Sequence, residues 1–175
     1  MDFTTTGAGD IGAQQTILFI TGSRALGDPA FLFTAYERSD FARRHHITKI
    51  IHGGAKDGID ASADLLIENL DTEREIFRPE KQRNAPRWAI AKALLDRNTV
   101  MAEICHLCLA VWDGESRGTR DAFKKVKKLG KPYVVFKVDT ATGVVELYET
   151  NLEYLLDETG RKETTTGDER QPTLF

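Results

Sequence analysis

Short apolar runs alternate along the chain with longer segments of helical period. Residues 16–21 form a nearly continuous apolar run, as expected of a strand that is covered on both faces. Similar runs recur at 49–52, 107–112 and 132–136, and each follows a segment with helical character. This βαβ alternation is typical of a mainly parallel sheet, so the chain is predicted to fold as an α/β domain.

The segments between these runs predict helices, and two weaker runs predict further strands. The helices are expected at 31–44, from about 58 through 67, at 88–104, at 117–129 and at 151–157, and the further strands at 75–78 and 144–148. Within 88–104 the apolar residues fall roughly on one side, which predicts an amphipathic helix. They are Ile90, Leu94, Leu95, Met101 and Ile104.

The two ends of the chain lack both periodicities. The first is rich in Thr, Gly and Ala, and the last is polar and charged, so neither can supply much of a packed core. We expect a flexible segment at 1–14, one folded domain at 15–158 and a disordered tail at 159–175. A chain of 175 residues has the usual size of one domain.

The composition is that of an ordinary globular protein, with 41% hydrophobic and 29% charged residues. The formal net charge of -3 provides no overall positive field, so generic adhesion to nucleic acid or to an anionic membrane is not expected. No charged-then-apolar secretory signal opens the chain, and no apolar stretch approaches the ~20 residues that span a bilayer. These features predict a cytoplasmic protein without a membrane segment.

Two cysteines, Cys105 and Cys108, flank His106 in a run that leads into a predicted buried strand. Three clustered ligands do not complete a zinc site, and two cysteines do not form a disulfide framework. We expect packed thiols in a reducing compartment, and neither a metal ion nor a cofactor.

Three glycine-bearing loops follow predicted strands. They are Gly22-Ser23-Arg24, residues 53–60 and residues 113–119. The carboxyl ends of parallel strands meet at one edge of a sheet, where loops lead into helices whose amino ends carry free N–H groups. Each loop alone is typical of an ordinary turn, but the three together predict a site for a phosphorylated ligand. Neither a full Gly-x-Gly-x-x-Gly nor a Walker A motif is present, so standard dinucleotide binding and ATP hydrolysis are not predicted.

Four motifs recur in the same order in YspA-like proteins of the SLOG superfamily, which is named for the SMF/DprA and LOG proteins. They are Gly22-Ser23-Arg24, Gly53-Gly54-Ala55-Lys56-Asp57-Gly58-Ile59-Asp60, Arg97-Asn98-x-x-Met101 and Trp112-Asp113-Gly114-x-Ser116-x-Gly118-Thr119. Over about 16–136 the chain resembles that family. The resemblance implies a single Rossmann-like three-layer domain that binds or senses a nucleotide or a nucleotide-derived ligand. It also suggests a phage or prokaryotic source with a role in conflict systems, and it permits a homodimer.

The resemblance assigns positions to the ligand pocket. They are Gly22, Ser23, Arg24, Gly53, Gly54, Asp60, Arg97, Asn98, Gly114, Ser116, Gly118 and Thr119. Arg24 suits a phosphate because its guanidinium is planar and permanently charged, although a surface arginine would look the same. Asp60 suits either a ribose hydroxyl or a favourable charge at a helix amino end. Without the resemblance, Arg97 and Asn98 would be interpreted as a solvated helix face.

An enzymatic alternative comes from the LOG relatives, which release the base from nucleoside monophosphates and whose loop reads Pro-Gly-Gly-x-Gly-Thr-x-x-Glu. Here Ala122 occupies the position of the glutamate. The neighbouring Asp121 is displaced by one residue, and catalysis is sensitive to small misplacements. A phosphoribohydrolase needs a positioned acid, for which Asp60, Asp113 and Asp121 are the candidates. Binding without turnover is the expected role.

The last five residues resemble the Gln-x-x-Leu-Phe peptide that many bacterial replication proteins place in the pocket of the sliding clamp. Gln171 would supply the polar contact, and Leu174 and Phe175 the apolar anchors of a tail that folds on binding. This predicts recruitment to replication or DNA processing. A frayed end that binds nothing is the competing interpretation.

Deleting Leu174 and Phe175 is expected to abolish capture of the full-length chain by an immobilised bacterial sliding clamp, because both apolar anchors are lost. A pulldown with purified proteins measures this, with a variant in which Thr164 and Thr165 are changed to alanine as the control. If the unaltered chain is not captured at all, the clamp hypothesis is wrong.

Overall fold

One sheet organises the part of the chain that the computed structural model describes, residues 14–79 and 83–157. Its strands are β1 (Ile17–Gly22), β2 (Lys49–His52), β3 (Glu73–Ile76), β4 (Leu107–Trp112), β5 (Tyr133–Val138) and β6 (Val145–Thr150). They lie in the order β3-β2-β1-β4-β5-β6, and every neighbouring pair is parallel except β5 with β6. The prediction of an α/β domain with a mainly parallel sheet is confirmed, and the strand order is Rossmann-like.

Helices cover both faces of the sheet and complete three layers. The main helices are α1 (Pro29–Ser39), α2 (Phe41–Arg44), α3 (Ile59–Leu70), α4 (Arg87–Ile104) and α5 (Arg117–Lys128), and residues 153–157 are also helical, within the predicted 151–157. In β1, Leu18 and Ile20 pack in a core with α1 and α3, whereas Phe19 packs in a second core with α4 and α5. This alternation follows from the pleat of a strand, and it explains why the run is apolar throughout. Within 14–79 and 83–157, no helix combines the length and the apolar character that crossing a membrane requires.

The predicted helix 31–44 is divided in two. Asp40 takes a left-handed conformation with a φ of 58°, which ends α1 before α2 begins. Helix α1 also starts earlier than predicted, because Asp28 accepts a hydrogen bond from the Ala30 N–H at 2.9 Å and Pro29 occupies the first turn. The apolar periodicity located the helix but not its cap or its break.

Helix α4 does not bury one continuous apolar face. Ile90, Leu95 and Ile104 remain largely exposed. Its buried residues are Asn98, Met101 and Ala102. The amphipathic prediction was wrong because the buried stripe carries a polar amide and a small residue, which hydropathy does not select.

Cys105 and Cys108 are buried in the core beneath α4 and α5. Burial raises the pKa of Cys105 to about 11 and that of Cys108 well above its ordinary value, because a buried thiolate would lose its hydration. The prediction of packed thiols is confirmed. The Nδ1 atom of His106 accepts a hydrogen bond from the Ile17 N–H at a distance of 3.0 Å.

Two predicted regions lie outside the described residues. One is the N-terminal segment at 1–13, and the other begins at residue 158 and includes Gln171, Leu174 and Phe175. The clamp hypothesis therefore stays a prediction from the sequence.

Candidate functional site

The loops after β2, β1 and β4 lie side by side because these three strands are neighbours in the sheet. The chain runs from β1 to β2 and β3 on one side of β1 and then crosses to β4 on its other side. The crevice between the loops at such a reversal of strand order is where open α/β sheets bind ligands. A cleft of about 420 Å³ opens at this point. The sequence-predicted residues that line it are Gly22, Arg24, Gly53, Asp60, Arg97, Asn98, Asp113, Ser116, Gly118 and Thr119. The structure thus brings all four motifs to one cleft, although Ser23, Gly54 and Gly114 are outside its lining.

Ser23 joins the first loop to the third. Its hydroxyl donates to Asp113 Oδ1 at 2.9 Å and accepts from the Asp113 N–H at 3.0 Å, and its own N–H donates to the Val111 carbonyl at 3.1 Å. The side chain is 1% exposed. Ser23 was predicted to lie in the ligand pocket, and the structure shows its hydroxyl donating one hydrogen bond and accepting one where the two loops join.

Asp113 organises the third loop from within. Its Oδ1 accepts the N–H groups of Glu115 and Ser116, each at 2.9 Å, in addition to the Ser23 hydroxyl. Partial burial opposes ionisation, but the hydrogen bonds from these donors outweigh it and lower the pKa of Asp113. The carboxylate is therefore charged at neutral pH and committed to loop structure.

Gly58 brings the second loop against the first. It has a φ of 70°, and a Cβ at this position would lie 2.5 Å from both the Arg24 Cα and the Ser23 carbonyl oxygen. The Ile59 N–H donates to that same carbonyl at 3.4 Å. Only glycine combines this conformation with so close a backbone approach, so the first two loops pack as one unit.

The amino end of α5 forms one wall of the cleft. Ser116 caps the helix, accepting from the Thr119 N–H at 3.4 Å, and the two hydroxyls are 2.9 Å apart. Gly118 lines the cleft, and a Cβ on it would meet nothing within 4 Å. An exposed helix amino end offers N–H groups and a partial positive charge to an anion.

Two arginines supply full positive charge. Arg24 is exposed and forms no hydrogen bond or ion pair with any other described residue. Arg97 donates from Nη1 to the Gly53 carbonyl at 3.1 Å, while its buried Nε has no acceptor among the residues of the structure. A Cβ on Gly53 would lie 2.7 Å from Arg97 Cζ, so the glycine makes room for the guanidinium. Burial lowers the pKa of Arg97, against the opposing charge of Asp60.

Asp60 is the acid that the cleft buries most deeply. It is 8% exposed, and Oδ2 accepts the Ala55 N–H at 3.0 Å. Burial raises its pKa, although this hydrogen bond and the charges of Arg97 and Arg24 oppose the shift. No ion pair within 4 Å joins it to either arginine in the described part of the chain.

The remaining predicted residues on α4 and α5 connect these helices. Asn98 donates from Nδ2 to the Gly118 carbonyl at 3.2 Å and to Asp121 Oδ2 at 3.1 Å. Asp121 also pairs with Lys125 at 2.9 Å. Ala122, at the position of the LOG glutamate, is fully buried in the core. Asp121 therefore connects α5 to α4 through Asn98. In the described structure, no carboxylate of α5 lies in the lining of the cleft.

His52 supports the second loop and was missed from the sequence. It is fully buried at the end of β2, where Nδ1 accepts the Gly54 N–H at 3.0 Å and Nε2 lies 2.8 Å from Asp64 Oδ1. Because Nδ1 accepts, the proton of the neutral ring is assigned to Nε2. The signal was a lone polar residue closing an apolar strand immediately before two glycines.

These features define a Rossmann-like α/β protein with a polar cleft at the carboxyl edge of its sheet, lined by two arginines and two aspartates. No family model matches the chain, and no solved structure is significantly similar to it. Gene 61 protein of Mycobacterium phage D29 is 32% identical over 120 residues, which are 68% of this chain and 94% of that protein. The chain therefore belongs to the same family as this phage protein.

Asp60→Asn is expected to stabilise the fold at pH 7, because the folded state holds a carboxyl whose pKa is raised by burial. In the wild-type chain the protonated Asp60 carboxyl costs the fold nothing, and its ionisation lowers the free energy of unfolding as the pH rises through the folded-state pKa. The advantage of the amide should therefore shrink as the pH falls toward about 4, the pKa of an unfolded aspartate. Urea unfolding at pH 7 and at pH 4 measures it.

Asp57→Asn is the matched control, since Asp57 lies in the same loop and is exposed. An Asp60→Asn variant that is less stable than wild type at pH 7, or an advantage that does not change with pH, would contradict the assignment of a destabilising buried charge.

Proposed function

We propose that this chain is a YspA-like member of the SLOG superfamily and that its cleft binds or senses a nucleotide or a nucleotide-derived phosphorylated ligand. The observation that carries the proposal is a set of donors around one cleft that have no acceptor among the described residues. The exposed Arg24 has no hydrogen-bond or ion-pair partner there, the buried Arg97 Nε has no acceptor, and the amino end of α5 lines the same space. A buried donor without an acceptor costs free energy, and a bound phosphate would remove that cost.

The dimensions and walls of the cleft support a nucleotide in particular. Its volume of about 420 Å³ falls in the range of pockets that enclose small ligands. Leu94, Leu95 and Met101 add apolar surface beside the charged groups. A phosphate held by the loops and α5 would leave this apolar surface for a base or a sugar.

Binding is favoured over base release by the states of the three candidate acids. Asp113 accepts hydrogen bonds within its own loop, and Asp121 pairs with Asn98 and Lys125. Asp60 alone combines a place in the lining with a raised pKa, and a single acid without the LOG glutamate does not reproduce that family's catalytic group. The phage relative supports a phage setting, and a role in conflict between phage and host is part of the proposal.

Arg24→Ala and Arg97→Ala should each weaken binding of the nucleoside monophosphate that the chain prefers by about 10-fold or more, because a charge-assisted hydrogen bond contributes about 1.5–3 kcal/mol. Isothermal titration with monophosphates of the four common bases measures this. Arg43→Ala is the control, since Arg43 is exposed, pairs with Asp40 and is outside the cleft lining.

Unchanged affinity in Arg24→Ala would contradict the assignment of the cleft. Chromatography of the same mixtures separates the two functional classes. Binding without free base supports a sensor or binding protein, whereas free base that disappears in Asp60→Asn would establish the phosphoribohydrolase instead.

A further inference from the structure

A second lobe of about 370 Å³ opens beside the cleft. It shares Arg24, Gly53 and Arg97 with the cleft, so the two spaces are adjacent. The additional charged residues in its lining are Lys56, from the loop after β2, and Arg78, just beyond β3. Among residues 14–79 and 83–157, four cations and no carboxylate line this lobe.

Some cations in the described part of the chain are paired with acids, whereas the four that line this lobe are not. Arg43 and Arg44 both pair with Asp40, at 2.6 and 2.8 Å. By contrast, no ion pair within 4 Å involves Arg24, Lys56, Arg78 or Arg97 among residues 14–79 and 83–157. Like charges gathered without counter-charges repel one another, so this arrangement favours an anion from outside the chain.

The lobe is shaped by the backbone as well as by long side chains. Gly54 has a φ of 72°, and a Cβ on it would lie 2.9 Å from Arg78 Nε and 2.4 Å from Ile76 Cγ2. Arg78 therefore packs directly over the glycine. The Gly54 N–H in turn donates to the buried His52, which fixes this part of the loop.

We propose that this basic lobe, lined by Arg24, Lys56, Arg78 and Arg97, holds the distal phosphates of a nucleoside diphosphate or triphosphate. The inference rests on the proposed function of the neighbouring cleft. A monophosphate beside α5 would leave Lys56 and Arg78 without a counter-charge, because neither lines the cleft. A longer phosphate chain would reach from the shared arginines into the second lobe, and its additional negative charge would pair with Lys56 and Arg78.

The test compares mono-, di- and triphosphates of each common base with wild-type protein, in EDTA so that Mg²⁺ does not bind the phosphate chain. Wild type is expected to bind a triphosphate at least 10-fold more tightly than the matching monophosphate. The double variant Lys56→Ala, Arg78→Ala should lose this preference while its monophosphate affinity stays within about 2-fold of wild type. Inorganic phosphate and tripolyphosphate serve as probes that do not depend on the base.

The matched control is Arg120→Ala, Lys124→Ala, which removes the same charge from exposed positions of α5 that line neither lobe. If monophosphates and triphosphates bind wild type equally, or if the preference survives in the lobe variant, the inference is overturned and the proposed function stands. If no nucleotide binds, the proposed function itself fails. Tighter binding of a single-stranded oligonucleotide than of any triphosphate would replace the inference with a nucleic-acid site.

Discussion

The hydrogen bonds between Ser23 and Asp113 are the contact on which the cleft depends. They connect the loops that follow β1 and β4, the two central strands between which the crevice opens. Gly58 then packs against the backbone of Ser23 and Arg24 and adds the loop after β2. Because Ser23 is buried and Asp113 is charged, loss of either partner would leave an unsatisfied polar group in the packed junction. The cleft is thus assembled before any ligand arrives, which lowers the entropic cost of binding.

The two arginines that line the cleft form no ion pair with a carboxylate in the described part of the chain. Arg97 is half-buried and Arg24 exposed, and the carboxylate of Asp60 is near enough to influence both without pairing with either. A closer carboxylate would neutralise the arginines and compete with a phosphate. The raised pKa of Asp60 and the lowered pKa of Arg97 have the same cause, since burial penalises each charged form. The site therefore holds its charges at some expense to the stability of the fold, as functional sites commonly do.

The sequence located the centre of the sheet well because β1 and β4 are nearly continuous apolar runs, and β2 and β4 begin and end where predicted. The polar edge strand β3 was predicted two residues too late. Glycine-rich loops could also be predicted to converge, since parallel strands leave no other arrangement for their carboxyl ends. The roles within the loops could not be predicted. A serine in a glycine-bearing loop is typical of phosphate binding, yet the Ser23 hydroxyl bonds to Asp113, which is 90 residues away in the sequence. Likewise, His52 and Asn98 serve contacts that only the assembled layers create. On α4, hydropathy selected the buried Met101 but also Ile90 and Ile104, which are exposed.

The central claim is that the three loops and α5 form one anion site, and a nuclear magnetic resonance titration tests it most directly. Amide resonances would be followed in ¹⁵N-labelled protein while nucleoside monophosphates are added. The expected result is that the largest shifts fall on Arg24, Gly53, Gly118 and Thr119 and saturate together with one dissociation constant. Shifts confined to residues outside the cleft lining, or separate saturation of the loops, would contradict a single preformed site.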